Sequence, residues 1–229
     1  MRLQDIAIRA NMSKPTILRY LYALQESNYI YQEEETSRYA LTWSVCKLSE
    51  NLDSLLGLRN IANPFINRLS NMLSLGSCLV VEKDFECVYL DCIDNPNSST
   101  LQRIGRRAPL HATGSGKMIL TQFTDQELSE YIIKRGLTRY TPATITNPDV
   151  LRAELDKIRT DGYAMDEGEC EEGLRCISFP LRDYTGGIAA SMSVFGRTID
   201  MSDERVFNDI LPVLREATET ISSRLGYRA

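Results

Sequence analysis

The stretch that decides the fold of the first part of the chain is IAIRANMSKPTILRYLYAL, residues 6–24. Apolar side chains recur at helical spacing on both sides of a break at Asn11-Met12. Ser13 is a typical N-cap residue, and Pro15 fits the first turn of a helix, where a missing N–H group costs no hydrogen bond. Two helices joined by a turn of three to four residues are typical of the DNA-binding helix-turn-helix.

Two short strand-like runs follow, at residues 29–31 and 38–41, with the polar sequence QEEETS between them. A β-hairpin directly after a helix-turn-helix is typical of a winged DNA-binding domain. Cationic and hydroxyl side chains in this region predict contacts to phosphates and base edges. The predicted DNA-binding residues are Ser13, Lys14, Thr16, Arg19, Tyr20 and, in the wing, Arg38. The alternative is that two short amphipathic helices simply pack on a larger domain.

The composition of the 229 residues, 43% hydrophobic and 25% charged, is ordinary for a folded domain or two. The sequence lacks an apolar run of the roughly 18 residues that a membrane helix needs, and its start lacks the apolar segment of a signal peptide. We therefore expect a cytoplasmic protein without membrane contact. The net charge of −5 means that DNA contacts must come from a local basic patch.

Cysteine and histidine usage excludes several chemistries. The six cysteines include no C-x-x-C pair, so they are expected to be reduced thiols. His111 is the one histidine of the chain, which excludes an H-E-x-x-H metal site, and any Ser-His or Cys-His mechanism would have to use it. We expect neither a metal nor a cofactor.

The larger second part predicts an α+β domain. Apolar spacing indicates a connecting helix that ends near Gly57 and a second helix over 61–72, with Pro64 in its first turn. Strand-like runs follow at 77–84, 86–93 and 101–104, then helices at 114–122, 125–135 and 147–161. Strands return at 174–180 and 187–195, and a last helix covers about 203–225. This order favours an antiparallel sheet with helices packed against it.

The sequence HATGSGKMI, residues 111–119, has glycines in front of a lysine. A phosphate-binding P-loop fails because His111 stands at the first glycine position and Met118 at the hydroxyl position. A G-x-S-x-G nucleophile turn fails because Ser115 has a glycine directly on each side. We therefore expect no enzyme activity. Two interpretations remain open: helix N–H groups that hold an anion, or glycines that let a helix pack closely on the sheet.

With its wing sequence TSRYAL (36–41), the helix-turn-helix stretch resembles the IclR family of bacterial transcriptional regulators, particularly regulators of sugar-acid catabolism. The resemblance continues through IGRRAPLHATGSGKMIL (104–120), GYAMDEGECEEGLRCISFPL (162–181) and SSRLGY (222–227), and so covers essentially the whole chain. It implies a repressor that binds operator DNA as a homodimer or dimer of dimers. It also implies a C-terminal GAF-like (profilin-like) sensor domain for a small organic acid.

The resemblance further implies how the effector is held. Its carboxylate would lie on backbone amides, and polar groups and a small wall residue would complete the pocket. The implied effector-binding residues are Ala112, Gly114, Ser115, Asp166, Cys176 and Ser193. The family often has a serine where this chain has Phe195, which disfavours the smallest acids. Ala108 falls at a further wall position, and Arg103, Arg106 and Arg107 are nearby cations.

The expected domains are a winged helix-turn-helix at 1–45, a linker helix at 46–58 and an effector-binding domain at 59–229. Compared with the family, the first domain lacks its usual first helix. We therefore expect apolar surface exposed at Ile6, Leu18 and Leu21, and weakened DNA binding. The alternative function is a small-molecule sensor or interaction module that does not itself bind DNA.

Overall fold

The computed structural model describes residues 1–46, 53–94 and 105–228. The chain divides into two compact units, Met1–Gly57 and Leu58–Ala229. The predicted strand at 101–104, Arg103 and part of the predicted linker helix lie outside the described residues. Across the described ranges, no helix is both long enough and apolar enough to span a membrane.

The first unit is a helix-turn-helix followed by a hairpin, which confirms the prediction. The Ser13 hydroxyl accepts a hydrogen bond from the Thr16 backbone N–H at 3.4 Å and so caps the second helix. In the turn, Asn11 has a φ of 51°, a left-handed conformation that asparagine tolerates better than most residues. The elements are α1 (Leu3–Arg9), α2 (Lys14–Glu26), β1 (Ile30–Gln32) and β2 (Tyr39–Leu41), with a 3-10 turn at Trp43–Cys46.

Four buried apolar side chains form the core of this unit: Ala7, Ile17, Leu21 and Ile30. The expectation that Leu21 is exposed is wrong, because it lies one turn after Ile17 on the same stripe of α2 and is 6% exposed. Leu18 lies beside that stripe and is 49% exposed, as expected. Ile6 is half-buried against the core.

Within the described residues, the second unit contains six strands and a set of helices in an order close to the predicted one, and its first helix begins at the end of the first unit. Its elements are α3 (Asp53–Leu73), β3 (Gly76–Lys83), β4 (Glu86–Ile93), β5 (Arg107–Pro109), α4 (Gly114–Leu120), α5 (Asp125–Arg135), α6 (Pro148–Asp161), β6 (Ala164–Glu167), β7 (Leu174–Arg182), β8 (Ile188–Arg197), α7 (Asp203–Arg205) and α8 (Leu211–Arg224). A 3-10 turn at Thr198–Asp200 follows β8, and a π-helical turn at Val206–Ile210 joins α7 to α8.

One long helix replaces the two predicted near the linker. Helix α3 runs through Gly57 without interruption, so the expected break there is wrong. Pro64 lies inside the helix rather than in its first turn, and its ring nitrogen cannot donate to the Asn60 carbonyl. A continuous buried stripe outweighs both helix-weakening residues. The buried stripe consists of Leu58, Ala62, Ile66, Leu69 and Leu73.

The six strands form one antiparallel sheet in the order β5-β4-β3-β8-β7-β6. This confirms the α+β class and the antiparallel sheet. The first and last long strands, β3 and β8, are neighbours at the centre. The edge strands β5 and β6 were not predicted, because three or four residues carry too little alternation to be recognised.

Different helices cover the two faces of the sheet. Helix α4 packs on β6, β7 and β8, on the face that carries Ser178. On the other face, the Ser77 hydroxyl donates to the Ile66 carbonyl of α3 at 2.8 Å. On that same face, the Arg215 guanidinium of α8 lies 5.5 Å from the centre of the Phe179 ring. The start of α4 is therefore enclosed between the sheet and its surrounding loops.

Candidate functional site

A small cavity lies where the start of α4 meets the sheet; we call it the inner cavity. Its volume is about 30 Å³, which is room for about two water molecules. Of the predicted effector-binding residues, Ser115, Asp166 and Cys176 line it. Phe195 also lines it, as the aromatic wall that the sequence indicates.

Strand register brings three of these lining residues side by side. Asp166 on β6 pairs directly with Cys176 on β7, and Cys176 pairs directly with Phe195 on β8. Directly opposed residues in antiparallel strands share a face, with Cβ atoms about 5 Å apart. Residues from three strands therefore form one continuous wall.

The two glycines at the start of α4 meet different constraints. A Cβ on Gly116 would lie 2.3 Å from the Leu110 carbonyl oxygen, so only glycine allows this packing. A Cβ on Gly114 would lie 2.8 Å from the Ser178 hydroxyl and 3.4 Å from the Cys176 sulfur. The two glycines therefore differ. Gly116 allows close packing on Leu110, and Gly114 allows the start of the helix to lie against polar groups.

The start of α4 lies beside the inner cavity, because Thr113 and Ser115 line it. First-turn N–H groups have no acceptor within their own helix and favour an anion there. The Thr113 hydroxyl caps the helix by accepting from the Gly116 N–H at 3.1 Å. The N–H groups of Gly114 and Ser115 precede that one, and a Cβ on Gly114 would lie 3.5 Å from the Asp166 backbone nitrogen. Of these groups, Ser115 and Asp166 line the inner cavity, whereas Gly114 is not among its lining residues.

Three buried hydroxyls lie together behind the cavity wall. Ser178 Oγ is 2.6 Å from Ser193 Oγ and 3.5 Å from Ser115 Oγ, and Ser115 and Ser193 are also hydrogen-bonded. Ser193 does not line the inner cavity; it contacts the site through Ser115. Sequence reasoning missed Ser178, because only the pairing of β7 with β8 places it opposite Ser193.

Asp166 is a buried carboxyl group, 2% exposed. Its Oδ1 accepts a hydrogen bond from the Glu169 backbone N–H at 2.7 Å. Burial raises the pKa of Asp166 to about 7, and this hydrogen bond only partly opposes the shift. A carboxyl group in this state can donate to or accept from a bound hydroxyl group near neutral pH.

Lys117, the lysine of the glycine block, is buried and paired. Its Nζ lies 3.2 Å from Glu154 Oε1 and also forms a hydrogen-bonded ion pair with Glu169. Burial raises the pKa of Glu169, and the charge of Lys117 opposes that shift. The lysine thus holds α4 to α6 and to the loop after β6, which explains its position without a phosphate.

His111 has structural hydrogen bonds on both ring nitrogens. Nδ1 is 2.7 Å from the Tyr131 hydroxyl, and Nε2 is 3.0 Å from the Thr138 carbonyl oxygen. Because a carbonyl oxygen only accepts, Nε2 carries the proton and Nδ1 accepts from the tyrosine. Burial lowers the pKa of His111, so the ring is neutral near pH 7.

The cysteines near this site are free thiols. Burial raises the pKa of Cys176 to about 12 and that of Cys170 to about 11. Thiols in this state are poor nucleophiles. Within the described ranges, no group of three or more His, Cys, Asp or Glu side chains is arranged to hold a metal ion.

The structure places the remaining predicted residues as follows. Ala112 is fully buried and is not among the residues that line the inner cavity. Ala108 and Arg106 do line it, whereas Arg107 lies outside it. Lining residues that the sequence did not indicate are Cys78, Tyr89, Thr113, Cys170, Glu171 and Leu174. Tyr89 is buried by the alternation of β4, which the apolar run CVYL of its sequence does not show.

The predicted DNA-binding residues lie at the start of α2 and in the hairpin. Thr16, Arg19 and Tyr20 share one side of the helix by their spacing. The Ser13 and Thr16 hydroxyls are 2.8 Å apart. All six predicted residues are exposed except Thr16, which is half-buried. Lys14 Nζ donates to Gln4 Oε1 at 3.4 Å, and Arg38 lies directly before the second hairpin strand.

Comparison with known proteins identifies the family. The family model described as the C-terminal domain of the bacterial transcriptional regulator IclR matches residues 51–223, and that of the IclR helix-turn-helix domain matches residues 1–34. The chain is 32% identical to the HTH-type transcriptional regulator KdgR of Escherichia coli (strain K12) over 97% of this chain and 85% of that protein.

Two solved structures are similar along nearly the whole chain. Thermotoga maritima IclR is 31% identical, with a TM-score of 0.78 over 99% of this chain and 92% of that one. An IclR homolog from Microbacterium hydrocarbonoxydans, complexed with 4-hydroxybenzoate, is 25% identical, with a TM-score of 0.87 over 98% of this chain and 91% of that one. The chain has a helix-turn-helix and an effector-binding domain, and it belongs to the IclR family of bacterial transcriptional regulators.

Proposed function

We propose that this protein is a cytoplasmic repressor that binds operator DNA and is controlled by a small organic acid, such as a sugar acid. The observation that carries the proposal is that Ser115, Asp166 and Cys176 line one small cavity, with Gly114 packed close to Cys176 and Asp166 beside it. The similar structure complexed with 4-hydroxybenzoate supports a carboxylate effector.

Each residue of the site has a proposed role that follows from its chemistry. The effector carboxylate accepts hydrogen bonds from the N–H groups of Gly114 and Ser115. Asp166 bonds an effector hydroxyl, and Cys176 lines the pocket as a small, weakly polar side chain. Ser193 orients Ser115 through their hydrogen bond.

Phe195 and Tyr89 add aromatic walls that suit the carbon face of a sugar acid or a ring. Ala112, which lies outside the lining of the inner cavity, has no direct contact in this proposal.

On the DNA side, we propose that α2 enters the major groove from its N-terminal end. Lys14 and Arg19 contact phosphates or base edges, while Ser13, Thr16 and Tyr20 add hydroxyl contacts. Arg38 in the wing contacts the backbone.

A single winged unit buries too little surface for operator-level affinity, so the proposed active form is a homodimer or dimer of dimers. We propose domains at 1–45 for DNA binding, 46–58 as linker and 59–229 for the effector, with helix α3 continuing across the last boundary.

We infer that the protein catalyses no reaction. The two ring nitrogens of His111 are engaged by Tyr131 and Thr138, so no base is available to activate a nucleophile there. The Ser115 hydroxyl is hydrogen-bonded to other serines rather than to a base.

A thermal-shift screen against small carboxylic and sugar acids tests the effector site. An acid present at about 100 times its Kd is expected to stabilise the wild type by about 2.7 kcal/mol. Asp166→Asn should weaken binding of hydroxylated acids, whereas Asp156→Asn, an exposed pair partner of Arg159, should not. If no acid stabilises the protein, or if both variants respond like the wild type, the effector assignment is wrong.

Electrophoretic mobility shift with the promoter region of its own gene tests the DNA side. Arg19→Ala should weaken binding and reduce the slope of log K against log salt by about one. Arg197→Gln removes an exposed charge paired with Asp200 in the second unit and serves as the control. Equal binding by wild type and Arg19→Ala would contradict the proposed role of α2.

A further inference from the structure

Ser178, to which the proposed function gives no role, belongs to the group of three buried hydroxyls behind the inner cavity. Ser178 and Ser193 are fully buried, and Ser115 is 3% exposed. Of these three serines, only Ser115 lines the cavity. Whether an effector meets a hydrogen-bond donor or an acceptor at the Ser115 hydroxyl therefore depends on how the three hydroxyl protons are arranged.

Ser193 links the other two hydroxyls. Its Oγ is 2.6 Å from Ser178 Oγ and is also hydrogen-bonded to Ser115, whereas Ser115 Oγ and Ser178 Oγ are 3.5 Å apart. A serine hydroxyl has one proton to donate and two lone pairs that accept. Ser193 can therefore donate in only one of its two close hydrogen bonds, and the direction of that bond decides which serine keeps a proton for another partner.

The two proton orders give the inner cavity opposite chemistry. In the first order, Ser178 donates to Ser193 and Ser193 donates to Ser115, so the proton of Ser115 is free to point into the cavity. In the second order, Ser115 donates to Ser193 and Ser193 donates to Ser178. Ser115 then offers the cavity only lone pairs, which repel a carboxylate.

The surroundings of Ser178 favour the first order. In the second order its proton would need a different acceptor, and its other side-chain neighbours within the described residues are Ser115 Oγ at 3.5 Å and Cys176 Sγ at 3.6 Å. The first contact is too long for a strong O–H···O hydrogen bond, and sulfur is a weak acceptor. Ser193 has the same alternatives, because its remaining hydrogen-bond neighbours are the thiols of Cys78 and Cys176. The hydroxyl hydrogen bonds therefore run from Ser178 through Ser193 to Ser115.

We propose that Ser178 is a positioning residue that makes the Ser115 hydroxyl a hydrogen-bond donor to an anion in the inner cavity. This rests on the proposed function, in which that anion is the effector carboxylate. The carboxylate then accepts from a side-chain hydroxyl as well as from backbone N–H groups. The preference of the site for a carboxylate over a neutral group of the same shape depends on Ser178, although Ser178 does not line the cavity.

Neutron diffraction from crystals of the deuterated protein tests the proton order without any ligand. The Ser178 deuterium is expected on the line to Ser193 Oγ, and the Ser193 deuterium on the line to Ser115 Oγ. The Ser115 deuterium is expected to point toward the inner cavity. The reverse order would overturn the proposal, whatever the effector is.

Formate and formamide test the consequence for binding, because they have nearly the same shape and only formate is charged. In an NMR titration followed at the backbone amide of residue 115, Ser178→Ala should weaken formate binding about fivefold and formamide binding about twofold or less. Ser115→Ala should weaken formate binding about tenfold. Adding Ser178→Ala to that variant should change nothing further, because Ser178 acts through Ser115.

Ser191→Ala is the matched control for this titration. Ser191 is an equally buried serine of β8, and its hydroxyl donates to the Phe179 carbonyl at 3.2 Å, so its loss should leave formate binding unchanged. Equal formate affinity in the wild type and Ser178→Ala, or additive losses in the double variant, would overturn the proposal. If formate binds to none of the proteins and the neutron structure shows the expected order, the carboxylate effector is wrong, while Ser178 still sets the direction of the Ser115 hydroxyl.

Discussion

The two units of this chain depend on cores of very different size. In the described part of the chain, four buried apolar side chains form the core of the first unit, whereas a single core cluster of the second already contains seventeen. The first unit is therefore specified by short-range signals such as caps and turn residues. The second also contains buried polar and charged groups that only a large core can enclose.

The largest expected effect comes from the buried charges of the second unit. Lys117→Met leaves the carboxylate of Glu169, which is 7% exposed, without its cation and should cost about 3–5 kcal/mol of unfolding free energy. Lys134→Met removes an exposed ion pair with Glu130 and should cost less than about 1 kcal/mol. Urea unfolding measures both. Similar costs for the two variants would show that burial does not increase the contribution of the Lys117 ion pair to the free energy of unfolding.

The small core of the first unit predicts the next effect. Leu21→Ala should cost about 2–4 kcal/mol and unfold this unit selectively. Hydrogen exchange of the α2 backbone amides can follow that unit during denaturation. Leu18→Ala is the matched control, since Leu18 is 49% exposed and should change stability by less than about 0.5 kcal/mol. Equal losses would mean that α2 buries a different face.

Asp166 predicts a pH dependence for the second unit. Burial raises its pKa in the folded state to about 7, above the value of an unfolded chain, so the folded state binds more protons between these two values. Stability should therefore fall as pH rises through this window.

Between pH 5 and pH 8, the wild type should lose about 3 kcal/mol more than Asp166→Asn, because about two pH units separate pH 5 from the folded pKa of about 7, at about 1.36 kcal/mol per unit. Urea unfolding at both pH values measures this difference. If the unfolding free energies of the wild type and Asp166→Asn change equally with pH, a group other than Asp166 binds the proton in the folded state.

The smallest effect compares helix caps between the units. In α2, the Ser13 hydroxyl accepts one backbone hydrogen bond at 3.4 Å, whereas Asn147 at the start of α6 accepts two, at 2.8 and 3.2 Å. Ser13→Ala should therefore cost about 0.5 kcal/mol and Asn147→Ala about 1 kcal/mol. Thermal unfolding followed by circular dichroism can rank them. The reverse order would mean that Ser13 gains more from its contact with Thr16 than its backbone bond indicates.

The sequence predicts the first unit better than the second. Ser13, Pro15 and Asn11 act within a few residues of themselves, so the helix-turn-helix could be read directly. Pro64 misled the prediction, because a local rule placed it in a first turn while a long buried stripe carries the helix past it.

In the candidate site, Gly114, Ser115, Asp166 and Cys176 came from resemblance to the family, and their roles stay predictions. Ser178 could not be found, because its position opposite Ser193 depends on strand register. The burial of Lys117 likewise depends on contacts with Glu154 and Glu169, distant in sequence. Local sequence patterns describe residues that are close in the chain. The residues of the site are distant in sequence, and only the sheet brings them together.

Phe195 lines the inner cavity and also lies directly opposite Gly76 on β3. A Cβ at position 76 would be 2.3 Å from the Phe195 ring, so the ring occupies the space that any larger residue would need. In evolutionary terms, substitutions at positions 76 and 195 are therefore coupled. If Phe195 were replaced by a smaller residue, position 76 could also accept a side chain. If Gly76 were replaced first, the Phe195 ring would have to move and the cavity would lose its aromatic wall.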